Sequence, residues 1–207
     1  MGCGETFVGA PFVDTCWSTC EPHPAKAKLK QIKIRIEILL ILFIGYVFHP
    51  NIIMEGGSVD FNGAGAILTS KCCLLNPNRN PHLSQDQIER YLCNYYGVEQ
   101  VLWVSEGIVG DDTDGHIDDT VRFVNEDTVV TVVESNVLSE NHDLLQRNLK
   151  ELKEMRLANG KQLNIVELPM PADVIYEEQM LPASYANFYI SNGHIIVPTY
   201  RCAQDDK

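Results

Sequence analysis

The sequence predicts an α/β fold assembled from repeated strand–strand–helix–strand units. Three observations carry that prediction. The same succession of hydrophobic periods occurs twice along the chain. Turn signals of hairpin type start at residues 62, 125 and 192, with separations of 63 and 67. The composition, 45% hydrophobic and 21% charged, is that of a globular protein rather than a disordered chain, a collagen or a coiled-coil rod. A fixed period with a constant element order is the signature of a repeat architecture, in which each unit needs a neighbour to bury its apolar edge. With 207 residues the chain suffices for one good-sized domain.

In the first unit Val59 and Phe61 lead into Asn62-Gly63, the strongest short hairpin signal, and Ala66, Ile67, Leu68 and Thr69 return. A loop rich in Asn and Pro follows over 76–81. Ser84 with Gln87 three residues later forms a capping box, Ile88, Tyr91, Leu92, Tyr95 and Tyr96 recur at helical spacing, and Gly97 is placed to end the helix. Residues 98–104 read as a buried strand, completing a unit over about 58–104.

The second unit, about 121–168, repeats this order. Val121 and Phe123 alternate, Asn125-Glu126-Asp127 turns, and residues 129–133 come back. Ser139 opens a helix that carries Leu144, Leu145, Leu149, Leu152 and Met155, with Asn159-Gly160 expected to close it. Residues 163–168 form the next strand. A third unit starts at about 184–200, with strands at 188–190 and 195–197 around Asn192-Gly193.

Residues 1–51 differ from the rest. The first 50 carry five basic and four acidic side chains, whereas 51–207 carry eleven basic and twenty-four acidic ones. The run 36–48 is apolar except for Glu37 and Gly45, but it is shorter than the ~20 residues a helix needs to cross hydrocarbon. Ile32, Ile34, Ile36 and Ile38 alternating with Lys33, Arg35 and Glu37 fit a buried strand instead, so no membrane association is expected. A net charge of −12 argues against a nucleic-acid partner, which requires a basic face. Seven cysteines, an odd count, and the lack of a signal peptide favour reduced thiols in the cytoplasm. Cys16, Cys20 and His23 form C-x3-C-x2-H without a second ligand pair, so a zinc site is not expected there.

Chemistry concentrates in two places. Gly110-Asp111-Asp112-Thr113-Asp114-Gly115-His116-Ile117-Asp118-Asp119 holds five carboxylates and a histidine just before a strand. An EF-hand would need flanking helices and a glutamate at its twelfth position, and neither is present. At strand spacing His116 and Asp118 project to one face, and the carboxylate should raise the imidazole pKa and favour the cation. Such a pair suits proton transfer or capture of a positive group. The second place is Met54-Glu55-Gly56-Gly57-Ser58, where a carboxylate precedes two glycines that let the backbone turn sharply and a ligand approach.

These strings, together with Cys73-Leu-Leu-Asn-Pro-Asn-Arg-Asn-Pro-His-Leu-Ser84 and Asn192-Gly193-His194-Ile195-Ile196-Val197-Pro198-Thr199, resemble the agmatine deiminase or bacterial-type peptidyl-arginine deiminase family over residues 52–202. The resemblance implies a pentein-like fold, a pseudo-fivefold α/β propeller of ββαβ modules, present here in part. It implies hydrolysis of a guanidinium to a ureido group with release of ammonia, through a cysteine thiolate and without a cofactor or metal. By the motifs, His116 is the general acid/base, Glu55 and Asp118 bind the guanidinium, and Asp112, with Asp114 beside it, faces the far ammonium of agmatine. The chain lacks the family's R-D-x-G-P string in residues 1–57 and its G-G-G-N-I-H-C string, and Cys202 in Tyr200-Arg201-Cys202-Ala203-Gln204 does not match the nucleophile. The chain therefore reads as truncated, without a nucleophile and inactive alone, with uncovered apolar edges that promote homo-oligomers. A non-catalytic guanidinium- or polyamine-binding protein, or a relative acting on arginine or peptidyl-arginine, is the alternative.

Overall fold

The computed structural model describes residues 49–206. The apolar run 36–48, the alternating strand around Ile34 and the Cys16-Cys20-His23 cluster lie outside the described residues.

Two units of identical topology follow one another. In the first, β1 (Val59–Phe61) pairs antiparallel with β2 (Ala66–Ser70), and β2 pairs parallel with β3 (Gln100–Val104). Between β2 and β3 come the short helix α1 (Lys71–Leu74) and the helix α2 (Gln85–Tyr96). In the second, β4 (Val121–Phe123), β5 (Thr128–Val133), α3 (Glu140–Glu154) and β6 (Asn164–Pro169) repeat the antiparallel and parallel pairings. The capping box of α2 forms as its sequence predicts. Ser84 accepts from the Gln87 N–H, the Gln87 side chain returns the contact, and Gly97 ends the helix at φ 68°. Ser139 likewise caps α3.

The central strand β2 is buried along its whole length, which sorts its side chains onto two faces. Ala66 and Leu68 face a core with Leu102, Val121, Phe123, Val129 and Leu152, where the two units meet. Ile67 faces a second core with Met54, Leu74, Ile88, Leu92 and Trp103 beneath α2. The tyrosines at helical spacing in α2 lie at its margin, with Tyr95 and Tyr96 exposed.

Two expectations need correction, and one element was not foreseen. α3 stops at Glu154 because Met155 turns to extended backbone. Asn159-Gly160 instead makes a tight turn, with Gly160 at φ 82°, between Arg156 and Gln162. His116-Ile117-Asp118 is not a strand: Ile117–Asp119 is a 3-10 turn, closed by the Thr120 N–H donating to the Ile117 carbonyl at 3.0 Å. A hairpin of β7 (Val174–Tyr176) and β8 (Gln179–Leu181) also went unforeseen, because its turn uses Glu177 and Glu178 at positive φ rather than glycine. The third hairpin, β9 (Tyr189–Ser191) with β10 (His194–Ile196), is present and exposes Tyr189, Ile195 and Ile196. Among the described residues no helix is long and apolar enough to cross a membrane.

Asp60 and Arg122, at the middle of β1 and β4, tie the units together. Arg122 Nε donates to Asp60 Oδ1 at 3.0 Å, and the Phe123 N–H donates to Asp60 Oδ2 at 2.6 Å. The same guanidinium donates to the carbonyls of Ala186 and Phe188 and stacks 4.9 Å from the Phe188 ring. Asp60→Ala strands both donors in a mostly desolvated seam, so urea unfolding should show a loss of about 2–3 kcal/mol. A loss below about 0.5 kcal/mol, the range of ordinary surface changes, would show that the seam does not depend on this carboxylate.

Candidate functional site

The site arises from one structural device used twice. Glu55 precedes the 3-10 turn Gly56–Ser58 that enters β1, and His116 precedes the 3-10 turn that enters β4. Each turn is pinned to the second strand of its unit by a buried threonine. Thr69 Oγ1 donates to the Ser58 carbonyl at 2.7 Å, and Thr131 Oγ1 donates to the Thr120 carbonyl at 3.3 Å. Equivalent entrances thus present a carboxylate from one unit and an imidazole from the other, with Glu55 Oε2 4.0 Å from His116 Nε2.

Glu55 is held from behind by Arg79, whose side chain is only 5% exposed. Arg79 Nε donates to both Glu55 oxygens at 2.8 and 2.9 Å. Its other nitrogens donate to Asp114 Oδ2 at 2.9 Å, to Asn78 Oδ1 at 3.2 Å and to the Thr113 carbonyl. Asn80 completes the clamp by accepting from the Ile53 N–H at 2.7 Å and donating to the Ile53 carbonyl at 2.8 Å. The Asn/Pro-rich loop over 76–81 is therefore a bracket that fixes the Glu55 segment against the acidic loop.

Asp111 organises that acidic loop. Its Oδ2 accepts from the Gly115 and His116 N–H groups at 2.9 Å each, and its Oδ1 accepts from the Thr113 N–H at 2.8 Å. Gly115 adopts φ 93°, and a Cβ there would meet Cys72 Sγ at 2.3 Å, so only glycine fits. Ser70, the cap of α1, donates its hydroxyl to the Gly115 carbonyl. Asp114, at φ 61°, has its carboxylate spent on Arg79 and on Asn78 Nδ2 at 2.6 Å. It is thus already neutralised by an internal cation. Asp112 stays exposed on the loop rim and reaches His116 only through its field.

Gly57 makes the room in which His116 and Asp118 sit. A Cβ on it would lie 2.5 Å from His116 Nδ1 and 2.6 and 2.8 Å from the Asp118 oxygens. His116 Nδ1 is 4.0 Å from Asp118 Oδ1, too long for a hydrogen bond. Both His116 Nε2 and Asp118 Oδ1 are buried without a partner. Buried polar atoms are almost always satisfied, and such exceptions need an explanation. Their electrostatics correct the expectation of a cationic imidazole. Burial lowers the His116 pKa and outweighs the upward pull of Glu55, Asp111 and Asp112, while Arg79 adds to the lowering. Burial, with Asp119 alongside, raises Asp118 to about 7 against the opposing pull of Arg122. A neutral imidazole beside a half-ionised carboxylate can take a proton and welcome a cation.

Asp119, 9% exposed, is a structural neighbour. It accepts from Asn187 Nδ2 at 2.8 Å, and burial raises it to about 6. Cys73, fully buried in α1, brings its thiol to the site, so the donor atoms of Glu55, Cys73 and His116 lie within 4.8 Å of one another. Burial pushes the Cys73 thiol far up despite the pull of Arg79. Cys202 lies elsewhere, 3.3 Å from the Tyr185 hydroxyl and beside Asp205.

The structure thus brings Glu55, His116 and Asp118 together and leaves Asp112 on the rim. Sequence reasoning assigned no role to Arg79, Asn80, Asp111 or Cys73. For Arg79 a signal existed: a lone arginine set among Asn and Pro residues in the loop over 76–81.

The chain is 36% identical to the agmatine deiminase of Pseudomonas aeruginosa (strain LESB58) over 74% of its length, covering 46% of that protein. A cysteine-to-serine variant of the C. jejuni agmatine deiminase, solved with substrate bound, is 42% identical, with a TM-score of 0.69 over 75% of this chain and 45% of that one. The Enterococcus faecalis agmatine deiminase is 34% identical, with a TM-score of 0.70 over 76% and 48%. The chain spans somewhat less than half the length of the curated relatives it matches. Residues 17–207, nearly all of the sequence, match the family model of the Porphyromonas-type peptidyl-arginine deiminases, and the chain belongs to that family.

Proposed function

We propose that these residues form the guanidinium-binding and proton-transfer part of an agmatine deiminase, a hydrolase that cleaves a C–N bond of a linear amidine. The observation that supports this most is the pair of buried, unpartnered atoms, His116 Nε2 and Asp118 Oδ1, beside the carboxylate of Glu55. A guanidinium is a planar cation with N–H donors on its edges. It supplies donors to Asp118 and to the lone pairs of Glu55 that Arg79 leaves open. His116, kept neutral by burial, takes a proton from the attacking group and returns it to departing ammonia. Cys73 is held as the thiol and so is not a thiolate nucleophile. Agmatine is the preferred substrate because the acidic rim, Asp112 included, suits a second cation better than the carboxylate of free arginine. The two units and the β9–β10 hairpin are read as modules of a pseudo-fivefold propeller, in keeping with their common topology.

Calorimetric titration of the 207-residue polypeptide with agmatine tests the reading. Binding should be measurable and tighter than for arginine, with no ammonia released. Asp118 binds the cation only when ionised, so affinity should rise with pH up to about 7 and level off above it. Asp118→Asn should weaken binding about tenfold or more and flatten that profile. The same variant should stabilise the apo fold at pH 8. A carboxylate raised from 3.8 to about 7 binds protons better in the folded chain, so native stability falls as pH climbs through that window. Undetectable agmatine binding, or a pH profile unchanged by Asp118→Asn, would overturn the assignment.

A further inference from the structure

Imidazole, thiolate and carboxylate are the donors that zinc-class divalent ions prefer, and three such groups meet at this site. We propose that Glu55, Cys73 and His116 form a binding site for a zinc-class divalent cation, with a fourth coordination position open. Metal binding here is independent of the deiminase reading. Its consequence, mutual exclusion with a guanidinium, rests on that reading.

The geometry is close to ligation. Three atoms no more than 4.8 Å apart can all lie within about 2.8 Å of a common point. Zinc bonds to N, O and S run about 2.0–2.3 Å, so side-chain movements of about half an ångström close the shell. His116 Nε2 is buried and unpartnered, so ligation breaks no existing hydrogen bond. Arg79 Nε reaches both oxygens of Glu55 yet leaves lone pairs free, and it holds Glu55 Oε2 4.0 Å from Nε2. Arg79 thereby has the place of an outer partner that orients a ligand. On binding, the Cys73 S–H proton passes to solvent and the thiolate sulfur takes the metal bond. Glu55, Asp114 and the Cys73 thiolate lie close enough to offset Arg79 and the divalent ion.

Three protein donors and one open position resemble a reactive or inhibitable zinc site more than a closed structural one. The ligands come from three separate segments, the approach to β1, the short helix α1 and the approach to β4, and so leave no spacing signature in the sequence. Because Glu55 and His116 also face the proposed guanidinium, an ion held between them displaces that cation.

The test is a titration of the metal-free, fully reduced 207-residue chain with Zn2+ by calorimetry and with Co2+ by absorption. One ion per chain should bind, and Co2+ should show a near-ultraviolet thiolate charge-transfer band. His116→Ala and Cys73→Ala should each weaken binding by about tenfold or more, and Cys73→Ala should remove the band. The double change Cys16→Ser and Cys20→Ser should leave both signals intact. Cys73 is fully buried, so circular dichroism must accompany its variant. Should that variant unfold, His116→Ala decides, because His116 is partly exposed. Binding that survives His116→Ala, that disappears with Cys16 and Cys20, or that shows no thiolate band overturns the site. Saturating agmatine should weaken Zn2+ binding, and Zn2+ binding unaffected by bound agmatine would overturn the mutual exclusion while leaving the metal site standing. Zn2+ bound to the three residues by a chain with no affinity for agmatine would sink the guanidinium reading and leave the metal site standing.

Discussion

Arg79→Met is expected to cost about 3 kcal/mol of unfolding free energy and to abolish agmatine binding. The guanidinium is almost fully buried and is the common counterion of Glu55 and Asp114, which belong to different segments. Removing it leaves the carboxylates of Glu55 and Asp114 without their shared cation, with His116 neutral. Breaking a buried pair from one side typically costs about 3–5 kcal/mol, and the lower end applies because Glu55 and Asp114 are 25% and 32% exposed. Arg79→Lys separates charge from geometry. A lysine ammonium keeps the charge but cannot span Glu55, Asp114 and the Thr113 carbonyl in one planar fork. It should recover part of the stability and little of the binding. Urea denaturation and calorimetry on the three proteins give both readouts. An Arg79→Met chain within about 0.5 kcal/mol of the parent, with agmatine affinity intact, would show that the bracket is dispensable.

Much of the architecture was legible because its determinants are local. The Ser84 capping box and the Leu145, Leu149 and Leu152 stripe are short-range signals that form as their residue types require. Asn62-Gly63 does join β1 to β2, though through a longer loop over 62–65 in which the Asn62 side chain accepts from the Ala64 and Ala66 N–H groups. Asn159-Gly160 misled because glycine at positive φ serves a helix end and a hairpin turn equally well, and Met155 had already ended the helix. The His116–Asp118 juxtaposition was anticipated through the wrong geometry. The side chains meet because a 3-10 turn and the missing Cβ of Gly57 allow it, not because a strand alternates. The protonation state was misjudged for a related reason. A neighbouring carboxylate is visible in sequence, whereas the desolvation that outweighs it appears only in the packed structure. Arg79, Asn80 and Cys73 escaped because they meet Asp114, Ile53 and His116, which are distant in sequence and beyond any spacing rule.

Gly57→Ala is expected to lower agmatine affinity about a hundredfold while leaving the fold largely intact, since a displacement of about an ångström at a site of this kind costs on that scale. Gly57 is not at positive φ, so an alanine backbone is tolerated there and the damage falls on the side chains. Its Cβ would overlap His116 Nδ1 at 2.5 Å and both Asp118 oxygens at 2.6 and 2.8 Å, driving the imidazole and the carboxylate apart. Gly56→Ala is the internal control. It alters the same turn, yet a Cβ at that position meets nothing within 4 Å, so binding should stay at the parental level. A double-mutant cycle sharpens the argument. With Asp118 already truncated to alanine, adding Gly57→Ala should cost much less, because part of the clash has gone. Equal losses for Gly56→Ala and Gly57→Ala would mean that the effect comes from turn flexibility rather than from the close approach of His116 and Asp118. Additive losses in the cycle would mean that Gly57 acts without touching Asp118.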